Sequence, residues 1–309
     1  MNTFSIAIHG GAGTLVKGMM TSELEAAYKS ALKLALDAGY AILKSGGTSV
    51  NAVEEAVKCL EDSHLFNAGK GAVFTADETH EMDASIMDGS TLNAGAVSLI
   101  SGIKNPVSLA KDVMEKSEHV FLAGEGAMQF AKTNKYTIED ERYFYDEFRH
   151  KQWLEIKDTD SFQLDHATKK DSKFGTVGAV ACDAHGNIAA ATSTGGMTNK
   201  RFGRVGDSPM IGAGNYANNT TCAVSCTGSG EFFIRGVVAY DVSCLIEHKE
   251  LSLEHAANEV IHKRIVAIKG DGGLIAVDAK GNIAMPFNTE GMYRACKSSN
   301  GTEEVLIYK

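Results

Sequence analysis

The sequence lacks the features that mark several common classes of protein. It has 30 Lys and Arg residues against 39 Asp and Glu, a formal net charge of −9 at pH 7, and no Lys/Arg-rich run. A general nucleic-acid-binding protein usually displays a basic patch or stripe, so the charge balance argues against nucleic-acid partners. No stretch approaches the roughly 20 apolar residues that a membrane-spanning helix needs. The first residues, MNTFSIAIHGGAG, have no basic region and only a short apolar run. They do not predict a secretory signal, and we expect a cytoplasmic protein.

Several chemical motifs are also missing. The six cysteines contain no C-x-x-C pair, which favours reduced, mostly buried side chains over a zinc site or a disulfide framework. Neither a G-x-x-x-x-G-K-[ST] nor a G-x-G-x-x-G run occurs, so nucleotide binding has no support. The HGGAG segment at residues 9–13 is similar to the oxyanion segment of esterases, but the G-x-S-x-G elbow of those enzymes is absent. A serine hydrolase is therefore not predicted.

What is present is a globular composition with two groups of strands. Of the 309 residues, 44% are hydrophobic and 22% are charged, which suffices for a substantial core. Ser22 and Glu25 have the spacing of a capping box at the start of a helix that is predicted to end at Gly46. Further helices are predicted near residues 50–60, 107–116, 124–132, 232–248 and 252–268. Strands are predicted near residues 3–8, 72–75, 81–87, 94–100 and 222–227, with hairpins over 175–194 and 272–287. This order favours a sheet packed on a sheet and covered by helices.

The strongest local feature is the junction between Gly175 and Thr176. Residues 135–173 are polar, without a usable period, and are interpreted as a flexible linker with no core of its own. A β-rich strand follows at once in GTVGAVACD. An N-terminal Thr carries its own base, because its α-amino group has a pKa near ~8 and accepts the hydroxyl proton. Cleavage of the Gly175–Thr176 bond would create such a nucleophile, and Gly175 tolerates the backbone geometry that the attack requires.

Two further segments are candidates for binding. The glycine-rich turn in CAVSCTGSG lies between a strand and a helix, where backbone N–H groups favour an oxyanion or a carboxylate. In Arg204-Val205-Gly206-Asp207-Ser208, a guanidinium and a carboxylate three residues apart could hold the α-carboxylate and the α-ammonium of an amino acid. Taken alone, this pair is also compatible with an ordinary surface ion pair.

Nine segments occur in order that resemble one known family: HGGAG, LFNAGKGAVFT, EMDASIMDG, GTVGAVACD, ATSTGG, GRVGDSP, GAGNYANN, SCTGSGE and FNTEGMYRA. The chain is similar, over nearly its whole length, to the plant-type asparaginases, also called isoaspartyl or β-aspartyl peptidases, and in particular to the bacterial ones. The resemblance implies an α+β fold, a four-layer αββα sandwich of the N-terminal nucleophile hydrolases. It also implies a single domain over residues 1–309, cut into residues 1–175 and 176–309, with two such pairs associating as a dimer.

The resemblance also implies roles for individual residues. Thr176 is expected to be the nucleophile, hydrogen-bonded and positioned by Thr194. Arg204 is expected to bind the substrate's α-carboxylate, and Asp207, helped by Gly228 and Gly230, its α-ammonium. An oxyanion hole is expected from Thr227 and the N–H of Gly228, with Asn67 supporting the pocket. No catalytic cofactor is implied. A structural sodium ion is expected on backbone carbonyls of Leu60, Glu61, Ser63, Phe66, Ala68 and Lys70.

Three alternatives remain open. A glycosylasparaginase and a threonine endopeptidase that cuts after aspartate share the same fold and nucleophile. From another class, the chain could be a small-ligand binding protein that is never cut. Ser229 departs from the resemblance, since relatives often carry Thr or His there, and this difference bears on substrate preference or the rate of maturation. The linker before Thr176, about residues 135–175, is the part of the chain least similar to the family.

Overall fold

The computed structural model describes residues 3–158 and 175–309 of the chain. The helices are α1 (Ser22–Lys44), α2 (Ser49–Glu61), α3 (Pro106–Lys116), α4 (Gly124–Thr133), α5 (Glu147–Leu154), α6 (Gly230–Gly236), α7 (Val238–Lys249), α8 (Leu253–Glu259) and α9 (Ile265–Ala267). A π-helical segment, Val260–Arg264, joins the last two, and short 3₁₀ turns lie at Gly69–Gly71 and Glu141–Tyr143. The strands are β1 (Ser5–Gly13), β2 (Met82–Asp88), β3 (Ala94–Ile100), β4 (Phe121–Ala123), β5 (Val177–Cys182), β6 (Ile188–Thr194), β7 (Asn215–Ala217), β8 (Ala223–Gly228), β9 (Gly272–Val277), β10 (Ile283–Ala284), β11 (Gly291–Ser298) and β12 (Glu303–Tyr308).

The larger sheet interleaves strands from both sides of the Gly175–Thr176 junction. Its order is β12-β11-β1-β5-β6-β2-β3-β4. Strand β1 pairs antiparallel with β11 on one edge and with β5 on the other. Strand β2 likewise pairs antiparallel with β6. The predicted hairpin of β5 and β6 forms, and it lies between β1 and β2. Strands from before and after the junction therefore belong to one hydrogen-bonded sheet.

A smaller sheet has the order β10-β9-β8-β7 and lies against the larger one. Three apolar clusters occur in the described ranges. The first joins α1, α2 and α3 to the larger sheet, with Leu32, Leu36 and Val53 fully buried. The second joins the smaller sheet to α6, α7 and α8. The third contains residues of both sheets, among them Val180 and Ile275. The molecule is thus a mixed α/β structure. Apolar residues pack the two sheets against each other and pack helices against each sheet.

The helices follow the sequence prediction with two corrections. The predicted capping box of Ser22 and Glu25 is wrong, because Thr21 is the N-cap and its hydroxyl accepts the N–H of Leu24 at 3.2 Å. The helix predicted over 232–248 is two helices, since Val237 adopts a left-handed conformation with φ 47° between α6 and α7. A β-branched residue in that conformation is uncommon. The local signal for the break is Gly236, the last residue of α6.

The interpretation of residues 135–173 as a linker without a core is wrong for the part that the structure describes. Up to residue 158 the chain forms a 3₁₀ turn and α5, and Phe144 is fully buried in the first cluster. Arg149 and Trp153 are also buried, at 1% and 6% exposure. The scattered polar residues hide these few anchors, which have no regular period. The rest of the predicted linker, residues 159–173, lies outside the described residues.

Some strands also differ from the prediction. Residues 72–75 do not form a strand; Thr75 makes only an isolated bridge with Lys200. Strands β4, β7, β11 and β12 were not predicted, although the FNTEGMYRA segment contributes to β11. All six cysteines are free thiols, and four of them are buried. Among the helices of the described ranges, none combines the length and apolarity required to cross a membrane.

Candidate active site

Thr176 lies immediately before β5 and is 7% exposed. Its hydroxyl is 3.2 Å from the hydroxyl of Ser208. Its backbone carbonyl accepts a hydrogen bond from His9 Nδ1 at 3.0 Å. The residue is therefore held by both its side chain and its backbone, at the start of a strand in the interior of the larger sheet.

Gly175 is packed against two segments that are remote in sequence. A Cβ atom at Gly11 would lie 2.5 Å from the backbone nitrogen of Gly175, so the two backbones are in direct contact. The register of β1 against β11 shifts between His9 and Gly11, and Gly11 has φ +113°. A bulge of this kind re-aims a strand. Here it turns the HGGAG segment toward the Gly175–Thr176 junction.

Thr227 and Gly228 end β8 and face the same junction. A Cβ atom at Gly175 would lie 3.1 Å from Thr227 Oγ1. That hydroxyl is buried and has no hydrogen-bond partner among the described residues. Gly228 has φ +148°, a backbone conformation that side chains rarely adopt. An unpaired hydroxyl beside a carbonyl-bearing residue is an available donor for an oxygen on which negative charge develops.

Arg204 and Asp207 are close together, but they differ in their pairing. Asp207 is 3% exposed, and its Oδ2 has no hydrogen-bond partner among the described residues. Burial raises the pKa of Asp207 to about 7, partly offset by the charge of Arg204. The guanidinium of Arg204 instead contacts Glu231, with Nε donating to Oε1 at 2.8 Å. A Cβ atom at Gly230 would lie 2.8 Å from Asp207 Oδ1 and 3.0 Å from Arg204 Nη2, so this glycine leaves room for both groups.

The predicted hydrogen bond from Thr194 to Thr176 is not the one that this structure contains. The Thr194 hydroxyl accepts the N–H of Gly196 at 3.0 Å, while Ser208 takes the place beside the Thr176 hydroxyl. Asn67 supports the loop after Thr194, which forms part of the cavity wall. Its Nδ2 donates to the carbonyl of Gly196 at 2.7 Å, and its own carbonyl accepts the N–H of Gly195 at 3.0 Å.

A small cavity brings most of the predicted residues together. It has a volume of about 30 Å³. The residues predicted for the site that line it are Gly175, Thr176, Thr194, Arg204, Asp207 and Gly228. A space of this size holds one or two water molecules and not an amino acid. Gly175 forms part of its wall, so the uncut chain occupies space beside the Thr176 hydroxyl.

Three residues at the site were missed as participants. Ser208 was within the GRVGDSP segment, and its spacing from Asp207 gave no indication that it faces Thr176. Glu231 ends SCTGSGE and was not considered as the partner of Arg204. His9 begins HGGAG, which was weighed only as an oxyanion segment. In each case the contact joins residues far apart in sequence, and only the tertiary fold reveals it.

In the segment predicted to hold sodium, two of the six carbonyl oxygens lie against glycines. A Cβ atom at Gly69 would lie 2.4 Å from the carbonyl oxygen of Glu61, and one at Gly71 would lie 2.1 Å from that of Phe66. The Glu61 carboxylate points elsewhere, accepting the N–H of Val107 at 3.0 Å at the start of α3. Over residues 3–158 and 175–309 no group of three or more His, Cys, Asp or Glu residues could hold a metal ion. A metal in this loop would therefore depend on backbone oxygens.

Comparison with known proteins identifies the family of this chain. A family model described as asparaginase matches residues 2–307. The isoaspartyl peptidase of Escherichia coli (strain K12) is 50% identical over 307 residues, which cover 98% of this chain and 96% of the relative. The isoaspartyl peptidase of Salmonella typhimurium is 49% identical over the full length of both chains. The plant-type L-asparaginase of Pyrococcus abyssi is 43% identical, covering 93% of this chain and 94% of the relative. The chain therefore belongs to the asparaginase family whose members include isoaspartyl peptidases and plant-type L-asparaginases.

Proposed function

We propose that this protein cuts itself between Gly175 and Thr176 and then uses Thr176 to hydrolyse N-terminal isoaspartyl peptides and L-asparagine. One observation carries the proposal. The Thr176 hydroxyl, the unpaired Asp207 carboxylate and Gly228 line one small cavity that Gly175 partly walls. A nucleophile, a site for a cation and a backbone donor thus meet at the bond whose cleavage would open the space.

Maturation begins with attack of the Thr176 hydroxyl on the carbonyl of Gly175. The C–N bond between the two residues breaks, and water resolves the resulting ester to give a new carboxyl end at Gly175 and a free amine on Thr176. The unpaired Thr227 hydroxyl close to Gly175 supports its role in stabilising the oxyanion of this step. Departure of Gly175 enlarges the cavity and leaves an α-amino group beside the hydroxyl.

In the mature protein the α-amino group takes the hydroxyl proton, and Thr176 attacks the side-chain carbonyl of the substrate. Negative charge gathers on the carbonyl oxygen, where Thr227 and the N–H of Gly228 act as donors. Removal of one such donor costs about 10²–10³ in kcat. The leaving amine is a peptide N-terminus for an isoaspartyl substrate and ammonia for asparagine. Water then hydrolyses the aspartyl ester and frees Thr176.

Arg204 and Asp207 restrict the substrate to one with a free α-carboxylate and a free α-ammonium. Asp207 Oδ2 is buried and unpaired, and such a carboxylate gains from a cationic ligand. Arg204 presents a planar fork that fits a carboxylate. Both α groups are free only when the isoaspartyl residue is the first of a peptide, or in asparagine itself. The names of the relatives support this substrate class.

The same proposal includes the finer architecture. The three apolar clusters support a four-layer αββα sandwich, with α1, α2 and α3 outside the larger sheet and α6, α7 and α8 outside the smaller one. The carbonyls of Glu61 and Phe66, which lie against glycines, are two of the ligands that we propose for a sodium ion, which would brace the loop that carries Asn67. The other carbonyls that we propose for this ion belong to Leu60, Ser63, Ala68 and Lys70. We also propose that two cut pairs associate as a dimer.

The experiment compares wild type with Thr176→Ala on denaturing gels and by intact mass. Wild type should give two fragments that meet at the 175/176 bond, whereas Thr176→Ala should remain one chain of 32.9 kDa without activity. Thr176→Ser is the matched control, because it keeps a hydroxyl. Cleavage at 175/176 in the Ala variant, or full turnover by an uncut chain, would contradict the proposal.

A substrate panel separates the related activities. We expect hydrolysis of a β-aspartyl dipeptide and of L-asparagine, and no hydrolysis of the matching α-aspartyl dipeptide or of the N-acetylated β-aspartyl dipeptide. A preference for a glycosylated asparagine would favour the glycosylasparaginase alternative, and internal cleavage after aspartate in a protein would favour the endopeptidase. A wild-type chain that is never cut, yet binds aspartate, would favour the small-ligand binding protein.

A further inference from the structure

A row of hydrogen-bonded polar side chains crosses the apolar contact between the two sheets. His9 of β1 is 3.0 Å from the carbonyl of Thr176 through Nδ1 and 2.9 Å from the hydroxyl of Ser225 through Nε2. The Ser225 hydroxyl of β8 is 2.7 Å from the hydroxyl of Thr192 of β6. All three side chains are 0% exposed. Buried polar groups are costly unless they are hydrogen-bonded, so a connected chain here is a specific feature of the core.

The chemistry of the partners fixes the direction of each hydrogen bond. A carbonyl only accepts, so His9 Nδ1 must carry the proton that meets Thr176. Full burial lowers the pKa of His9 to about 3, so the ring is neutral and its Nε2 is an acceptor. Ser225 then donates to Nε2 and accepts from Thr192. The Gly214 carbonyl, 3.2 Å from Thr192, is also satisfied by the N–H of Cys226 at 2.9 Å, so it does not require the Thr192 proton.

The backbone makes room for this contact. His9 and Gly178 are directly paired in the ladder of β1 and β5. A Cβ atom at Gly178 would lie 2.0 Å from Ser225 Oγ and 2.5 Å from His9 Nε2. Any side chain at residue 178 would therefore separate the imidazole from the serine. The absence of a side chain at Gly178 therefore permits the hydrogen bond between His9 and Ser225.

We propose that His9 is a positioning residue for Thr176, held as its Nδ1–H tautomer by Ser225 and Thr192. This inference rests on the proposed function. The carbonyl of Thr176 lies on the C-terminal side of the residue, so its bond to His9 is the same before and after cleavage. Chain termini are poorly ordered unless they are tied down. Once Gly175 is released, His9 fixes the peptide plane that follows the new terminus, and so limits how far Thr176 can move relative to the cavity.

Two substitutions of His9 separate positioning from general packing. In His9→Asn, the amide nitrogen occupies the place of Nδ1 and keeps a donor for Thr176. In His9→Gln, the amide corresponds to the Nε2 end and leaves the Thr176 carbonyl without a donor. An unsatisfied buried carbonyl is expected to lower kcat for asparagine in His9→Gln about 10–100-fold below that of His9→Asn. KM should change little, because Arg204 and Asp207 are untouched. Equal losses of kcat in two folded variants would overturn the inference.

The tautomer can be measured without any activity. The probe is ¹⁵N-histidine-labelled, uncut Thr176→Ala protein, in which two-bond ¹H–¹⁵N spectra distinguish Nδ1–H from Nε2–H. The His9 signal is identified by its loss in His9→Asn. We expect Nδ1–H, with a shift toward Nε2–H when Ser225→Ala removes the donor to Nε2. An Nε2–H ring or a charged imidazolium in the unsubstituted core would refute the inference even if Thr176 is the nucleophile. Conversely, an Nδ1–H ring in a chain that never matures would refute only the proposed function.

Discussion

Gly11 and Gly175 touch through their backbones, and a Cβ atom at Gly11 would lie 2.5 Å from the nitrogen and 3.0 Å from the Cα of Gly175. These residues are far apart in sequence, and the bulge in β1 brings them together. The contact fixes the residue that precedes the proposed nucleophile. It places the HGGAG segment against the proposed cleavage site.

Gly11→Ala should slow self-cleavage at least tenfold, because the methyl group would displace Gly175 from the Thr176 hydroxyl. Gly18→Ala is the matched control. Gly18 also has a positive φ, +89°, but a Cβ atom there would meet nothing within 4 Å. The measurement is the fraction of cut chain against time after synthesis. Equal rates in the two variants would mean that backbone strain alone, and not the contact with Gly175, sets the rate.

Ser208→Ala should slow both self-cleavage and turnover by about three- to tenfold, the value of one ordinary hydrogen bond. The reason is that the Ser208 hydroxyl lies 3.2 Å from that of Thr176. Ser243→Ala is the control. Ser243 lies on α7, outside the cavity, and the substitution removes its buried 2.7 Å contact with the hydroxyl of Thr221. Stopped-time gels and asparagine kinetics measure the two effects. A larger loss in the control than in Ser208→Ala would contradict the role of Ser208.

Asp207 should give the enzyme a pH-dependent KM. Its pKa of about 7 lies above the ordinary value of 3.8, and the ionised form is the one that binds an α-ammonium. As the pH falls through about 7, the carboxyl takes up a proton and KM for asparagine should rise. Asp207→Asn should have a high KM throughout, without this dependence. A wild-type KM that is flat between pH 5 and 8 would contradict the assignment.

The same shift predicts a gain in stability for Asp207→Asn at high pH. A raised pKa means that the native state binds the proton more tightly than the unfolded state, so the contribution to stability is lost as the pH rises toward 7. Each pKa unit corresponds to about 1.4 kcal/mol. Relative to wild type, Asp207→Asn should gain up to about 3 kcal/mol on going from pH 5 to pH 8. Denaturant unfolding of both forms in the uncut Thr176→Ala background measures it.

Glu231→Gln should weaken substrate binding by altering how Arg204 is held. Because the Glu231 side chain is 48% exposed, the ion pair is partly screened. An exposed pair contributes roughly 0.2–1 kcal/mol, which limits the expected rise in KM to about fivefold with little change in kcat. Glu259→Gln removes another exposed pair, with Lys263 on the π-helical segment, and is the control. A fall in kcat without a change in KM would place Glu231 in a different role.

The sequence predicts most of the main elements because their signals are local. Helices α1 and α3 have apolar positions at helical spacing, and the β5–β6 hairpin has a glycine turn between two β-rich runs. Prediction fails where a few isolated contacts decide the structure. Phe144 and Trp153 anchor a polar segment without any period, and Val237 breaks a helix that local propensity favours.

The residues of the candidate site could be predicted from the sequence, but their hydrogen-bond partners could not. Thr176, Arg204, Asp207 and Gly228 stand in segments that resemble a family, and the fold brings them to one cavity. The partners of these residues were not predictable, because hydrogen bonds such as those from His9 to Thr176 and between Ser208 and Thr176 join separate strands and loops. A role copied by motif can also miss a partner, as the Thr194 hydroxyl illustrates by accepting the N–H of Gly196.

If the chain is cut at the 175/176 bond as proposed, the alternation of early and late strands in the larger sheet makes that cut a one-way event for folding. While the chain is whole, β1 finds its places between β5 and β11 as part of a single molecule. After the cut, the same pairing becomes an encounter of two separate polypeptides, which loses the concentrating effect of a tether. The processed protein should therefore be long-lived once assembled, yet fail to regain activity after denaturation at dilute concentration. Its durability would rest on slow unfolding and no longer on reversible refolding.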